Sequence, residues 1–210
     1  MQHIHPATIA IILINVLVSI KGFNDFSFFE KFKFNIAGIR RGEQIRMFTS
    51  GFLHVDFGHL LFNMLTLYFF ADVVILNVGV PKFVLIYILS LLVGNLLSLY
   101  FHKNEYHYSA VGASGAVMGI IYSGILFEPD VTIYFMPAWL FGLVYLLYTL
   151  YGMRKRVGNI GHDAHFGGAV AGYITTIAFA PYLLETSLWL VGVLAIPIVV
   201  LFVLYKLGKI

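Results

Sequence analysis

Gly161-His162-Asp163-Ala164-His165-Phe166-Gly167-Gly168-Ala169-Val170-Ala171-Gly172-Tyr173 opens an apolar stretch that continues to Leu184. Gly168 and Gly172 stand four apart and share one helical face, a spacing that lets a second helix approach to backbone contact in lipid. His165 precedes them by three and seven positions, so its imidazole projects from the same narrow face. The stretch predicts a membrane helix that packs on a small-residue partner and carries an ionisable group at its mouth. A packing seam and nothing more is the plain alternative.

One segment suits it as partner. Gly112-Ala113-Ser114-Gly115-Ala116-Val117-Met118-Gly119 opens another apolar stretch and sets Gly115 and Gly119 on one face. Pairing Gly115 and Gly119 with Gly168 and Gly172 predicts Ser114 and His165 within hydrogen-bond reach. Small neighbours leave the Ser114 hydroxyl unshielded, although a serine at a helix start is also a common N-cap.

The rest of the chain fits a lipid setting. Its 210 residues are 60% hydrophobic and 11% charged, with a mean hydropathy of +0.89. A soluble domain carries about 25% charged residues, so this composition points to an all-α, polytopic membrane bundle. Seven stretches approach the roughly 20 apolar residues of a spanning helix: Pro6–Ile20, His59–Val78, Pro81–Phe101, Ser114–Phe127, Val131–Tyr151, His165–Leu184 and Ser187–Leu207. Little chain is left for a second domain, so residues 1–210 are expected to form one. Pro197 is expected to kink the last span, which membrane helices tolerate. The N-terminus lacks a basic start and a small-residue cleavage site, so the first span is expected to be retained.

The long connection Lys21–Gly58 is rich in Phe, with Phe23, Phe26, Phe28, Phe29, Phe32 and Phe34, and is expected to lie in the headgroup region. The formal net charge of +3 is spread between apolar stretches and makes no nucleic-acid stripe; contact with anionic lipid headgroups is the expected role. There is no cysteine, which excludes disulfides and thiolate chemistry.

A third polar cluster opens the second span: His54-Val55-Asp56-Phe57-Gly58-His59-Leu60-Leu61-Phe62-Asn63. His59 and Asn63 share a face and can both donate hydrogen bonds to a developing negative charge. Each can equally serve as an interhelical polar contact. His54 falls off that face, in the preceding loop. With seven consecutive spans, the starts of the second, fourth and sixth lie on one membrane side, so His59, Asn63, Ser114 and His165 converge at one depth.

This set supports acyl transfer. A neutral His165 can activate Ser114, while Asn63, His59 and the Ser114 backbone N–H can hold an oxyanion. Asp163 is the nearest carboxylate in sequence but need not orient the imidazole, so a Ser–His dyad is expected. The histidine spacing lacks the HExxH pattern, and neither metal nor cofactor is expected.

These motifs, Hxxxx-HxxxN (His54, His59, Asn63), GxSG (Gly112, Ser114, Gly115) and AHxxGxxxG (Ala164, His165, Gly168, Gly172), in this order, resemble the rhomboid intramembrane proteases over about residues 6–184. The resemblance implies a six-span core with a Ser114/His165 dyad. It also implies an oxyanion hole of His59, Asn63 and backbone amides, and a partly embedded first loop in which Arg46 matches the arginine of a Trp-Arg pair. Ile45 stands where that tryptophan is common. Met118 stands where an aromatic often stacks on the histidine, and can contact it through sulfur. The stretch Ser187–Leu207 resembles the added C-terminal span of some members.

The resemblance implies transmembrane proteins as substrates and a bacterial plasma membrane location with the catalytic side outside. Yet every Lys and Arg except Lys82 falls on that side, where the positive-inside rule expects cytoplasm. The family orientation is the expectation adopted. Two rival functions are an inactive rhomboid-like protein that captures membrane clients and a channel or transporter, whose polar groups should run through the full bilayer.

Overall fold

The computed structural model describes residues 4–158 and 160–210, and among these the architecture is all-helical apart from two short strand pairs. Seven long helices fall on the seven apolar stretches: α1 Pro6–Asn24, α2 Phe57–Val78, α3 Val80–Phe101, α4 Ser114–Phe127, α5 Ala138–Lys155, α6 His162–Phe179 and α7 Leu188–Lys206. By length and composition, α1, α2, α3 and α7 are long and apolar enough to cross a membrane, and α4 is a shorter apolar helix.

Local chemistry sets the ends. The His5 imidazole accepts from the Ala7 N–H at 3.1 Å ahead of Pro6, and Asp56 caps α2 by accepting from the His59 N–H at 2.7 Å. Several ends extend by a few residues, α1 to Asn24 and α5 to Lys155, and two expected boundaries draw in. Residues 131–137 are not helical: Thr132–Ile133 pairs antiparallel with Met136–Pro137, so α5 starts at Ala138. The sixth helix stops at Phe179 rather than running to Leu184, because Pro181 forces Ala180 out of the helical region (φ −133°, ψ 64°). A separate short helix, Leu183–Thr186, follows.

The core sits around α4, whose residues Gly115 through Leu126 are all buried. At about 1.5 Å per residue a helix of 14 residues rises roughly 21 Å, short of the ~30 Å hydrocarbon thickness. One of its ends must therefore lie below a surface, and its start is approached by non-helical backbone. Such backbone is tolerated at depth where it lines a cavity.

Helices α4 and α6 meet through glycine. A Cβ on Gly168 would run into the Gly115 carbonyl, and one on Gly172 into the Gly119 backbone. Between the helices, Thr176 donates to Ser123 Oγ at 2.6 Å, and Ser123 donates to the Gly119 carbonyl at 2.8 Å. On the far side of α5, α7 packs through Trp139 and Trp189 (centroids 6.0 Å apart). It also accepts a 2.8 Å bond from Tyr173 of α6 at the Val191 carbonyl. It continues through Pro197 to Lys206.

The first loop is ordered as short helices and one strand. Phe34–Asn35 pairs with Ser109–Ala110, which fastens the loop to the segment leading into Ser114. Arg46 Nη1 donates to the Glu30 carbonyl at 2.7 Å and to the Lys33 carbonyl at 2.9 Å, and Nε donates to Glu43 at 2.5 Å. Phe26 and Phe48 of this loop remain exposed.

Candidate active site

Ser114 is the first residue of α4, behind Gly112, whose φ of +134° few side chains tolerate. A Cβ there would also come within 2.7 Å of His59 Cε1. The Gly112 N–H donates to the Ser50 carbonyl at 3.0 Å, and the next N–H, of Ala113, approaches His54 Nε2 at 3.4 Å. His54 is itself buried, with Nδ1 2.8 Å from Ser19 Oγ on α1. Burial first, and the neighbouring His59 second, press its pKa down to about 3, so His54 is a neutral strut beneath the turn. The opening turn of α4 leaves N–H groups without intrahelical acceptors, pointing the positive end of the helix dipole toward Ser114.

His165 lies on the first turn of α6, which the glycine seam holds against α4, so that His165 lines the same cavities as Ser114. The Ala164 carbonyl oxygen stands 3.3 Å from the position of a Cβ on Gly115. Two cavities meet here. One, of about 660 Å³, opens among the loops and is lined by His59, Asn95, Ser109 and Gly161. The other, of about 700 Å³, runs down between α2 and α5 past Phe62, Phe69, Met118 and Phe141. Ser114, His165, Asn63 and Tyr145 line both. The second cavity has an apolar mouth, with Phe62 72% and Phe69 68% exposed.

Asn63 Nδ2 and His59 Nδ1 are buried without a hydrogen-bond partner among the described residues. An unpaired buried donor is costly, and Asn63 holds its own at the junction of the two cavities. A hydroxyl, an imidazole and an unpaired amide donor around one space can support nucleophilic attack on a carbonyl and hold the resulting oxyanion.

The structure thus brings together Ser114, His165, Asn63 and His59 and sets His54 behind them. Gly112 lies at the turn, Gly115, Gly168 and Gly172 at the seam, and Met118 in the apolar cavity. Asp163 turns away: its carboxylate lies 3.5 Å from His102 Nε2. Sequence reasoning missed Tyr145, whose hydroxyl lies 2.9 Å from His165 Nδ1. It is one of 13 tyrosines, and no local pattern distinguishes it. No group of three His, Cys, Asp or Glu among the described residues is arranged to hold a metal ion.

Fold and cavity define a polytopic helical membrane protein with a polar site sunk among its helix starts. A family model described as the Rhomboid domain matches residues 41–182, and the chain belongs to the rhomboid family. It is 29% identical over 186 residues to RHOMBOID-like protein 12, mitochondrial, of Arabidopsis thaliana, covering 79% of this chain and 54% of that protein. It is 28% identical over 140 residues to Rhomboid protease GluP of Bacillus subtilis, covering 67% and 27%. It is 29% identical over 140 residues to Rhomboid protein 1, mitochondrial, of Saccharomyces cerevisiae, covering 62% and 40%. The chain therefore spans about half or less of the length of these relatives. The apolar helices and the family support an integral membrane protein, while the mitochondrial relatives leave the expected prokaryotic plasma membrane without support.

Proposed function

We propose that this chain is an intramembrane serine endopeptidase that cleaves transmembrane proteins, with residues 1–210 acting as one membrane-embedded domain. The observation that carries this reading is the junction at Ser114, His165 and Asn63 of a polar cavity among the loops with an apolar one between α2 and α5. Peptide hydrolysis within lipid needs both, a route for water and an apolar berth for the substrate segment. A protease among the relatives, GluP, agrees with it.

In this mechanism His165 Nε2 takes the proton as Ser114 Oγ attacks the scissile carbonyl carbon. The carbonyl π pair moves onto oxygen, where Asn63 Nδ2, His59 and the Ser114 N–H receive it. Collapse breaks the C–N bond, and His165 passes its proton to the leaving amine. Water from the polar cavity then attacks the acyl-enzyme by the same route. Segments rich in small, helix-breaking residues are the preferred substrates, because only locally unwound backbone presents its carbonyl to Ser114.

The test is cleavage of a model single-span substrate by purified protein in detergent, beside Ser114→Ala and His165→Ala. The reading expects both variants to be folded and inactive. Undiminished cutting by Ser114→Ala refutes it.

A further inference from the structure

We infer that Tyr145 is the positioning residue for the His165 base, fixing its tautomer through Nδ1 in the place a carboxylate takes in a triad. The inference rests on the protease reading above and deepens it.

An imidazole that accepts a proton at Nε2 must carry its own proton on Nδ1, and that N–H needs an acceptor within the protein. Among the described residues, Tyr145 Oη is the hydrogen-bond partner of Nδ1, at 2.9 Å. Asp163, the carboxylate nearest in sequence, points elsewhere, with Oδ2 3.5 Å from His102 Nε2. The Tyr145 ring is itself held. It stacks on Phe141 one turn earlier, with centroids 5.6 Å apart and planes at 22°, and it lies 27° from the plane of His165.

The sense of the bond decides activity. When Nδ1–H donates to the phenol oxygen, Nε2 keeps a free lone pair and His165 is a base. When the phenol donates to Nδ1, Nε2 holds the proton and the base is switched off. Tyr145 also borders the polar cavity, where its own O–H can turn to water and leave the oxygen free to accept. The reaction then strengthens the contact, because the imidazolium formed during attack is a better donor than the neutral ring. A neutral phenol supports that cation less than a carboxylate does.

Six other groups that titrate lie around the two cavities or beside His165 in sequence. They are His59 of α2, Tyr108 of the loop after α3, Glu128 and Tyr134 of the connection between α4 and α5, and His162 and Asp163 on its own helix. The packed helices α3 and α4 present Asn95 and Ser114 there.

Tyr145→Phe removes the oxygen and keeps the ring. The readouts are kcat and KM for a transmembrane substrate and the pH profile of kcat/KM, with Ser114→Ala and His165→Ala measured alongside. The expected result is a fall in kcat of roughly tenfold to a hundredfold with KM within about twofold. The acid limb moves to lower pH, since the imidazolium has lost its acceptor. A structural role alone lowers the unfolding temperature and leaves the acid limb in place. A kcat within twofold of wild type, or an acid limb unmoved or moved to higher pH, overturns the inference while the two inactive alanine variants keep the protease reading intact. Activity in His165→Ala overturns both.

Discussion

Gly168 lies against Gly115 with no room for a side chain between them: a Cβ on Gly168 would stand 3.0 Å from the Gly115 Cα and overlap its carbonyl. This contact sets the distance between α4 and α6, whose first turns bring Ser114 and His165 to the same two cavities. Backbone contact of this kind cannot be relieved by a rotamer change, so the helices must separate if either glycine gains bulk.

Gly168→Val therefore destabilises the fold by about 1–3 kcal/mol and removes activity. Thermal unfolding in detergent, read beside substrate cleavage, measures both. Gly192→Ala on α7 is the control: no described atom lies within 4 Å of a Cβ there, and its unfolding temperature stays at or slightly above the wild-type value.

Gly112→Ala strains the turn that delivers Ser114. The added Cβ meets His59 Cε1 at 2.7 Å, and φ of +134° is unfavourable for alanine. The expected outcome is a loss of stability of about 1 kcal/mol or more with a larger proportional loss of kcat, because the displaced groups are Ser114 and His59. A Gly112→Ala protein with wild-type kcat contradicts this placement.

Arg46→Ala leaves the Glu30 and Lys33 carbonyls without their donor. The first loop loosens by about 1–3 kcal/mol, and limited proteolysis within residues 25–50 becomes faster. Arg46→Lys does not restore protection, because an ammonium cannot reproduce the fork that holds two carbonyls and Glu43 together. Equal proteolysis rates for wild type and Arg46→Ala contradict it.

His54 links stability to pH. Its folded pKa of about 3 lies below the 6.5 of the free side chain, so between these values the unfolded chain binds the proton that the folded chain refuses. Stability from this group is whole above about pH 6.5 and declines as pH falls toward 3. The unfolding temperature should drop on acidification across that window, and His54→Asn should flatten the slope. An unchanged slope in His54→Asn contradicts a buried neutral role.

The parts of the fold legible in sequence were those written in local pattern. The glycine pairs 115/119 and 168/172 announced a seam, and polar residues at His59 and Asn63 interrupted apolar runs where lipid makes them costly. Residues 131–137 are not legible as a hairpin, because Val131, Ile133, Tyr134 and Phe135 look the same to hydropathy in a hairpin as in a span. The end of α6 was overrun because Leu183 and Leu184 carry the apolar pattern past Pro181 into a separate short helix. Tyr145 escaped notice for another reason: its partner lies 20 residues away, and only the packing of α5 against α6 joins them. Asp163 stood nearer His165 in sequence, but its helix turns it toward His102.

The most direct test of the central claim is labelling with a fluorophosphonate followed by peptide mapping. In that reaction Ser114 Oγ displaces fluoride from phosphorus while His165 takes the hydroxyl proton. The account predicts one adduct, on Ser114, formed by wild type and lost in His165→Ala. An adduct on Ser114 that forms equally fast in His165→Ala, or no adduct there at all in a folded protein that cleaves substrate, contradicts it.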